Sequence, residues 1–136
     1  MGDQKPYFQT ASQDEPEQAA TWFDVHADVP SIELAPNLHT RAVIGAGMAL
    51  SFVTFAPHAE AVIHSHAEEQ FVLVLEGEVE FEVGGETRML RPGMGILIPP
   101  FVSHGARTYD TPCTEVDVFH PPRQALIEKL QTLSSR

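Results

Sequence analysis

The stretch Glu78-Val79-Glu80-Phe81-Glu82-Val83 alternates a carboxylate with an apolar side chain without a break and runs into Gly84-Gly85. Only an extended strand puts every second side chain on one face, so valine and phenylalanine turn to a core and the glutamates turn to water. Two glycines supply the positive φ angles of a two-residue hairpin, and residues 86–90 return as the partner strand. Similar punctuation recurs along the chain. Ala35-Pro36-Asn37 separates strands at 32–34 and 38–44, Gly45-Ala46-Gly47 precedes a strand at 48–55, and the apolar run Phe71-Val72-Leu73-Val74-Leu75 stops before Gly77. Pro92-Gly93 turns into Ile96-Leu97-Ile98, and strands follow at 102–107 and 114–119. Residues 22–25, Trp-Phe-Asp-Val, read as a further short strand. Short strands between Gly and Pro turns predict an all-β sandwich or barrel. After Pro121-Pro122, apolar residues at 126, 127, 130 and 133 predict a helix over 123–133.

A chain of 136 residues is long enough for one core, read here as a single domain over 21–136 behind a polar N-terminal arm, residues 1–20. The arm is expected to lie against a neighbouring subunit or the outer face of the barrel. The formal charge of −11 argues against nucleic acid as a partner, because an acidic surface repels phosphate. No apolar run is long enough to span a membrane, and no secretory leader is visible. A lone cysteine, Cys113, permits no internal disulfide and fits the cytoplasm; it reads as an inert loop residue.

Candidate chemistry begins at His64-Ser65-His66. Two imidazoles at i and i+2 of a strand share a face and make a two-toothed grip for a divalent metal. Ala67 to Gln70 read as a turn. Downstream, the strand pair around Gly93, Pro99-Pro100 and His104 offers a third imidazole. His26, His39, His58 and His120 lack paired spacing and read as surface or packing residues.

His64-x-His66-x3-Gln70-x6-Gly77 resembles the first cupin motif, and Gly93-x5-Pro99-x4-His104 resembles the second. Phe101 stands where the second motif usually has glycine, and Thr108 where it usually has asparagine. The resemblance implies a double-stranded β-helix, the jelly-roll cupin barrel, closed by the C-terminal helix. It also implies a metal held by His64, His66, His104 and Gln70, with Glu69 the competing fourth ligand and Glu68 a solvated turn residue. Three imidazoles and a carboxamide leave the ion its full double charge, which strengthens it as a Lewis acid. Imidazole suits zinc, nickel, iron and copper alike and the harder amide oxygen argues against copper, so zinc, nickel, manganese and iron stay open.

Asp117 and Phe119 share a strand face, and Arg123 follows the Pro-Pro bend. Read from spacing alone, these are either structural residues or a site for a small carboxylate. Asp117-x-Phe119-x-Pro121-Pro122-Arg123 resembles the small cupins that open unsaturated uronates in pectin and alginate breakdown. That likeness implies Asp117 moves a proton, Arg123 grips the substrate carboxylate and Phe119 forms a wall; Arg41 and Arg107 are weaker anion contacts, more readily explained as surface salt bridges. It further implies a small, sugar-derived acid as substrate and a homodimer, with the N-terminal segment as an exchanging arm. An iron-dependent cupin dioxygenase and a non-catalytic ligand-binding cupin are the alternatives.

Overall fold

The computed structural model describes residues 6–11 and 14–134. Ten strands form two antiparallel sheets. They are β1 (Ser31–Ala35), β2 (Leu38–Ile44), β3 (Ala49–Phe55), β4 (Glu60–His64), β5 (Glu69–Gly77), β6 (Val79–Val83), β7 (Glu86–Leu90), β8 (Gly95–Ile98), β9 (His104–Arg107) and β10 (Cys113–His120), followed by the helix α1 (Gln124–Ser134). One sheet runs β1-β2-β3-β10-β5-β8 and the other β4-β9-β6-β7. This is the all-β fold that the punctuation predicts.

The alternating segment behaves as its pattern requires. Val79 and Phe81 are buried, while Glu80 and Glu82 face outward and meet Arg107 at 3.6 and 3.5 Å. Both glycines of the β6–β7 hairpin have positive φ, 56° and 86°. Gly77, at φ 74°, is obligatory for a second reason: a Cβ there would lie 1.8 Å from the Pro112 carbonyl oxygen. Between the sheets, Val53, Phe55, Val72, Val74, Phe81 and Ile98 form the main apolar cluster. Leu126 of α1 packs with Ile32, Ala42, Ala49 and Phe119 in a second cluster. Burying a leucine contributes roughly 2 kcal/mol, so Leu126 anchors the helix to the six-stranded sheet.

The strand expected at residues 22–25 does not form. Oδ1 of Asp24 accepts hydrogen bonds from the amides of His26 and Ala27, both at 2.9 Å, and the Asp28 amide bonds the Asp24 carbonyl at 2.8 Å. The aspartate captures the amides that a sheet would need and makes a turn. Trp22 is left 94% exposed. Just beyond, the chain docks on the outer face of the β2–β3 ladder, where the His26 ring packs edge-on against Phe52 at 5.3 Å and Arg41 donates to the Val29 carbonyl. The arm's Tyr7 and Phe8 are exposed and do not lie on the barrel; residues 1–5, 12 and 13 of the expected arm fall outside the described residues.

The turn expected at residues 67–70 is shorter than that span. Glu69 and Gln70 already belong to β5, and alternation along it turns Gln70 inward and Glu69 out. Glu68, expected to be solvated, is buried.

Candidate metal centre

His64 and His104 are direct cross-strand partners on β4 and β9, which brings their rings to a 4.3 Å centroid separation. His66 lies just past the end of β4. Its carbonyl accepts the Phe101 amide at 2.8 Å, tying the turn that carries His66 to the one that leads into His104. One ligand atom from each of the three imidazoles lies within 4.8 Å of the others.

Their hydrogen bonds fix which nitrogen faces the centre. Nδ1 of His64 lies 2.6 Å from the Val62 carbonyl oxygen, that of His66 3.0 Å from Glu68 O, and that of His104 2.9 Å from Val102 O. A carbonyl can only accept, so each Nδ1 carries the hydrogen and each Nε2 presents a lone pair. Burial pulls His104 down to about 4, aided by the neighbouring His64 and His66. Burial and then the Arg123 charge hold His66 below its ordinary value. Both rings are therefore neutral at pH 7. His104 Nε2 is buried with no hydrogen-bond partner.

Gln70 sits on β5 with its amide nitrogen donating to Asp117 Oδ2 at 3.1 Å. That bond turns Oε1 toward His66 Nε2, 3.0 Å away. A bare imidazole nitrogen facing a bare amide oxygen at this distance is repulsive unless a cation lies between them. Three imidazole lone pairs, one amide oxygen and an orphaned buried nitrogen form a donor set that fits a divalent metal. Glu69 points to the outer face, away from this centre.

Around the centre is a cavity of about 310 Å³, lined among others by His64, Gln70, His104, Asp117, Phe119 and Arg123. Cys113, Glu115, Asp117 and Phe119 are the buried, alternate residues of β10. Burial pushes Asp117 up to about 7 against the pull of Glu115 and Gln70, and its Oδ1 has no partner. The Phe119 ring stands 5.7 Å from that of His66 at 73°.

Several residues lie elsewhere. Arg107 is occupied by Glu80 and Glu82 on the outer face, and Arg41 by main-chain carbonyls. His39 meets Glu33, His58 meets Asp110, and His120 is exposed. Burial raises the Cys113 thiol to about 12, which makes it inert. Thr108 is a staple: its hydroxyl donates to Ala56 O at 2.6 Å and accepts from the Ala59 amide at 3.0 Å.

Two acidic residues escaped the reading of the sequence. Glu115 lines the cavity beside Asp117, and the i+2 rule that pairs Asp117 with Phe119 reaches it by one more step. Burial, and then the Asp117 carboxyl, raise its pKa well above the ordinary value. Glu68 Oε2 accepts the Gln124 amide at 3.1 Å, and Oε1 lies 3.5 Å from His66 Nδ1. No local signal marks it, because its partner lies at the start of α1.

A two-sheet β barrel that gathers inward-facing histidines from separate strands is the arrangement of metal-binding cupins. The cupin domain family matches residues 51–119, and the chain belongs to that family. Similar solved structures include KdgF from Halomonas sp., 24% identical with a TM-score of 0.73 over 79% of this chain and 99% of that one. An RmlC-like cupin from Shewanella frigidimarina is 25% identical with a TM-score of 0.72 over 79% and 96%. The polyketide cyclase RemF from Streptomyces resistomycificus is 23% identical with a TM-score of 0.69 over 78% and 82%. No helix among the described residues is long and apolar enough to cross a membrane.

Proposed function

We propose that this cupin is an enzyme that opens and tautomerises a small unsaturated or keto acid derived from a sugar. The observation that carries the reading is the Gln70 bridge, which turns one end of its amide to the three-histidine centre and the other to the buried Asp117. The likeness of Asp117-x-Phe119-x-Pro121-Pro122-Arg123 to uronate-opening cupins, together with a KdgF neighbour, supports the substrate class.

His64, His66, His104 and Gln70 would hold a divalent metal, which supplies Lewis-acid polarisation of substrate oxygens when bound. Arg123, at the cavity wall, binds the substrate carboxylate. Phe119 walls the cavity and excludes water. Opening an unsaturated uronate removes the anomeric hydroxyl proton and breaks the bond from the anomeric carbon to the ring oxygen. The resulting enolate then takes that proton on its vinyl carbon and becomes a ketone, so the net change is an isomerisation. Asp117, whose carboxyl burial raises above the ordinary carboxylate range, suits both proton transfers, accepting from oxygen and returning to carbon. Gln70 orients that carboxyl through its amide. The single buried thiol fits a reducing compartment, and we place the protein in the cytoplasm as a homodimer.

The test is loss of the conjugated uronate chromophore on incubation with metal-loaded protein. Asp117→Asn is expected to lower turnover by at least about 100-fold while leaving bound metal, read by elemental analysis, unchanged. An inert wild type under zinc, nickel, manganese and iron(II) defeats the reading, and an active Asp117→Asn removes Asp117 from it. Acid binding without turnover would mark a ligand-binding cupin, and oxygen uptake an oxygenase.

A further inference from the structure

The chain carries only eight lysines and arginines against a net charge of −11, so how each is used is informative. Six lie among the described residues, and four of these are engaged. Arg41 donates to the His26 and Val29 carbonyls, Arg88 pairs with Glu86, Arg91 with Glu78, and Arg107 with Glu80 and Glu82. The remaining two, Arg123 and Lys129, make no side-chain hydrogen bond or ion pair with any described residue. Both line the cavity.

Their placement is ordered. The Ile127 amide bonds the Arg123 carbonyl at 3.1 Å, so the helical turn already begins at Arg123. Arg123 and Leu126, and Leu126 and Lys129, are each i, i+3 neighbours, so the two cations flank Leu126 on the side of α1 that lines the cavity. Leu126 is buried in the second apolar cluster, which holds that face against the barrel. Lys129 lies about 9 Å further along the helix axis than Arg123, toward the exposed rim. Glu60 also lines the cavity, yet Lys129 is not within ion-pair distance of it.

We infer that the cavity takes an acid with two carboxylates, one on Arg123 inside and the second on Lys129 at the mouth. The inference rests on the proposed function and narrows its substrate class. Two cations that make no direct ion pair and line one cavity, in a chain this acidic, match two separated anionic groups better than one. The second carboxylate belongs to the same carbon skeleton, because an acid extended through a glycosidic bond has no anomeric hydroxyl to open. Lys129 is a specificity residue and takes no part in the proton transfers.

The test is calorimetric binding to the full metal-loaded chain. It compares 2-oxopentanedioate with 2-oxopentanoate, equal in carbon count and differing by one carboxylate. The diacid is expected to bind about fivefold tighter. Lys129→Gln abolishes that preference and leaves monoacid affinity unchanged, whereas Lys129→Arg retains it. Equal binding of the two acids, or a preference that survives Lys129→Gln, overturns the inference; the functional reading then stands if monoacids bind and Arg123→Gln loses them. If no acid binds, the reading itself fails and the inference with it.

Discussion

Phe101 occupies a position where glycine would be unstrained. It stands at φ 66° with its ring 71% exposed, so the side chain gains little burial from a backbone conformation that opposes it. Its amide nonetheless holds the His66 carbonyl, so the strained residue is a tie between the two ligand-bearing turns. Phe101→Gly is expected to stabilise the protein by about 1 kcal/mol, the relief of left-handed strain outweighing the greater freedom of glycine in the unfolded chain. A denaturant titration measures this, and a fall in stability would show that the phenyl ring packs more than its exposure indicates. The departure from the glycine of the cupin motif was visible in the sequence; that the phenylalanine would accept the glycine's conformation was not, because the constraint comes from the main-chain bond to His66. Glu115 is the opposite case. Its inward direction was implied by the alternation of β10, but an acid in an apolar strand gives no sign by itself that a cavity lies in front of it.

At the scale of elements, α1 lacks the means to satisfy its own first turn. No acidic residue lies in that turn, and Arg123 at its start offers no side-chain acceptor. Glu68 supplies one from the turn before β5, accepting the Gln124 amide while its other oxygen faces His66. Burial works to raise the Glu68 pKa, but the Gln124 amide and the Glu68 main chain, with His66 where it is protonated and the Arg123 charge, hold it below its ordinary value. One carboxylate therefore couples the helix that carries Arg123 to the orientation of a ligand histidine. Glu68→Ala is expected to lower stability by about 1 kcal/mol and metal affinity by roughly tenfold, with Glu68→Gln restoring part of both. Thermal melts with and without metal, alongside a competitive metal titration, separate the two effects; unchanged metal affinity would reduce Glu68 to a helix cap. Strands and hairpins were readable in the sequence wherever the signal was local, as at Gly84-Gly85. The burial of Glu68 was not, since its partner is 56 residues away. The short strand at residues 22–25 failed for a local reason: Asp24 takes the nearby amides first.

Across the whole molecule, the six-stranded sheet has two apolar faces: the inner one is covered by the second sheet, the outer one only over β2–β3, where residues 26–29 pack. Phe71, Leu73 and Leu75 alternate outward along β5, and Leu97 on β8 faces the same way. Register sets Phe71 beside Val118 and Leu73 beside Val116, and these in turn lie beside Leu50 and Phe52 of β3. The centre of this face holds no charged side chain, in a chain whose surface is otherwise strongly acidic. A contiguous apolar patch of that extent is unusual on a monomer, and a second copy presenting the same face would cover it with two sheets packed about 10 Å apart. A like-charged partner surface poses little obstacle there, because Glu69, the carboxylate that shares this face of β5, sits at the strand's start on the edge of the patch. The exposed aromatics Tyr7, Phe8 and Trp22 extend from the same chain and suit an arm that crosses to the partner. Light scattering behind a sizing column is therefore expected to give a dimer mass. Leu73→Glu, which sets two carboxylates against each other across the two-fold, is expected to return a monomer whose metal content is unchanged. A monomeric wild type at micromolar concentration, or a Leu73→Glu variant that stays dimeric, would rule out this face as the interface.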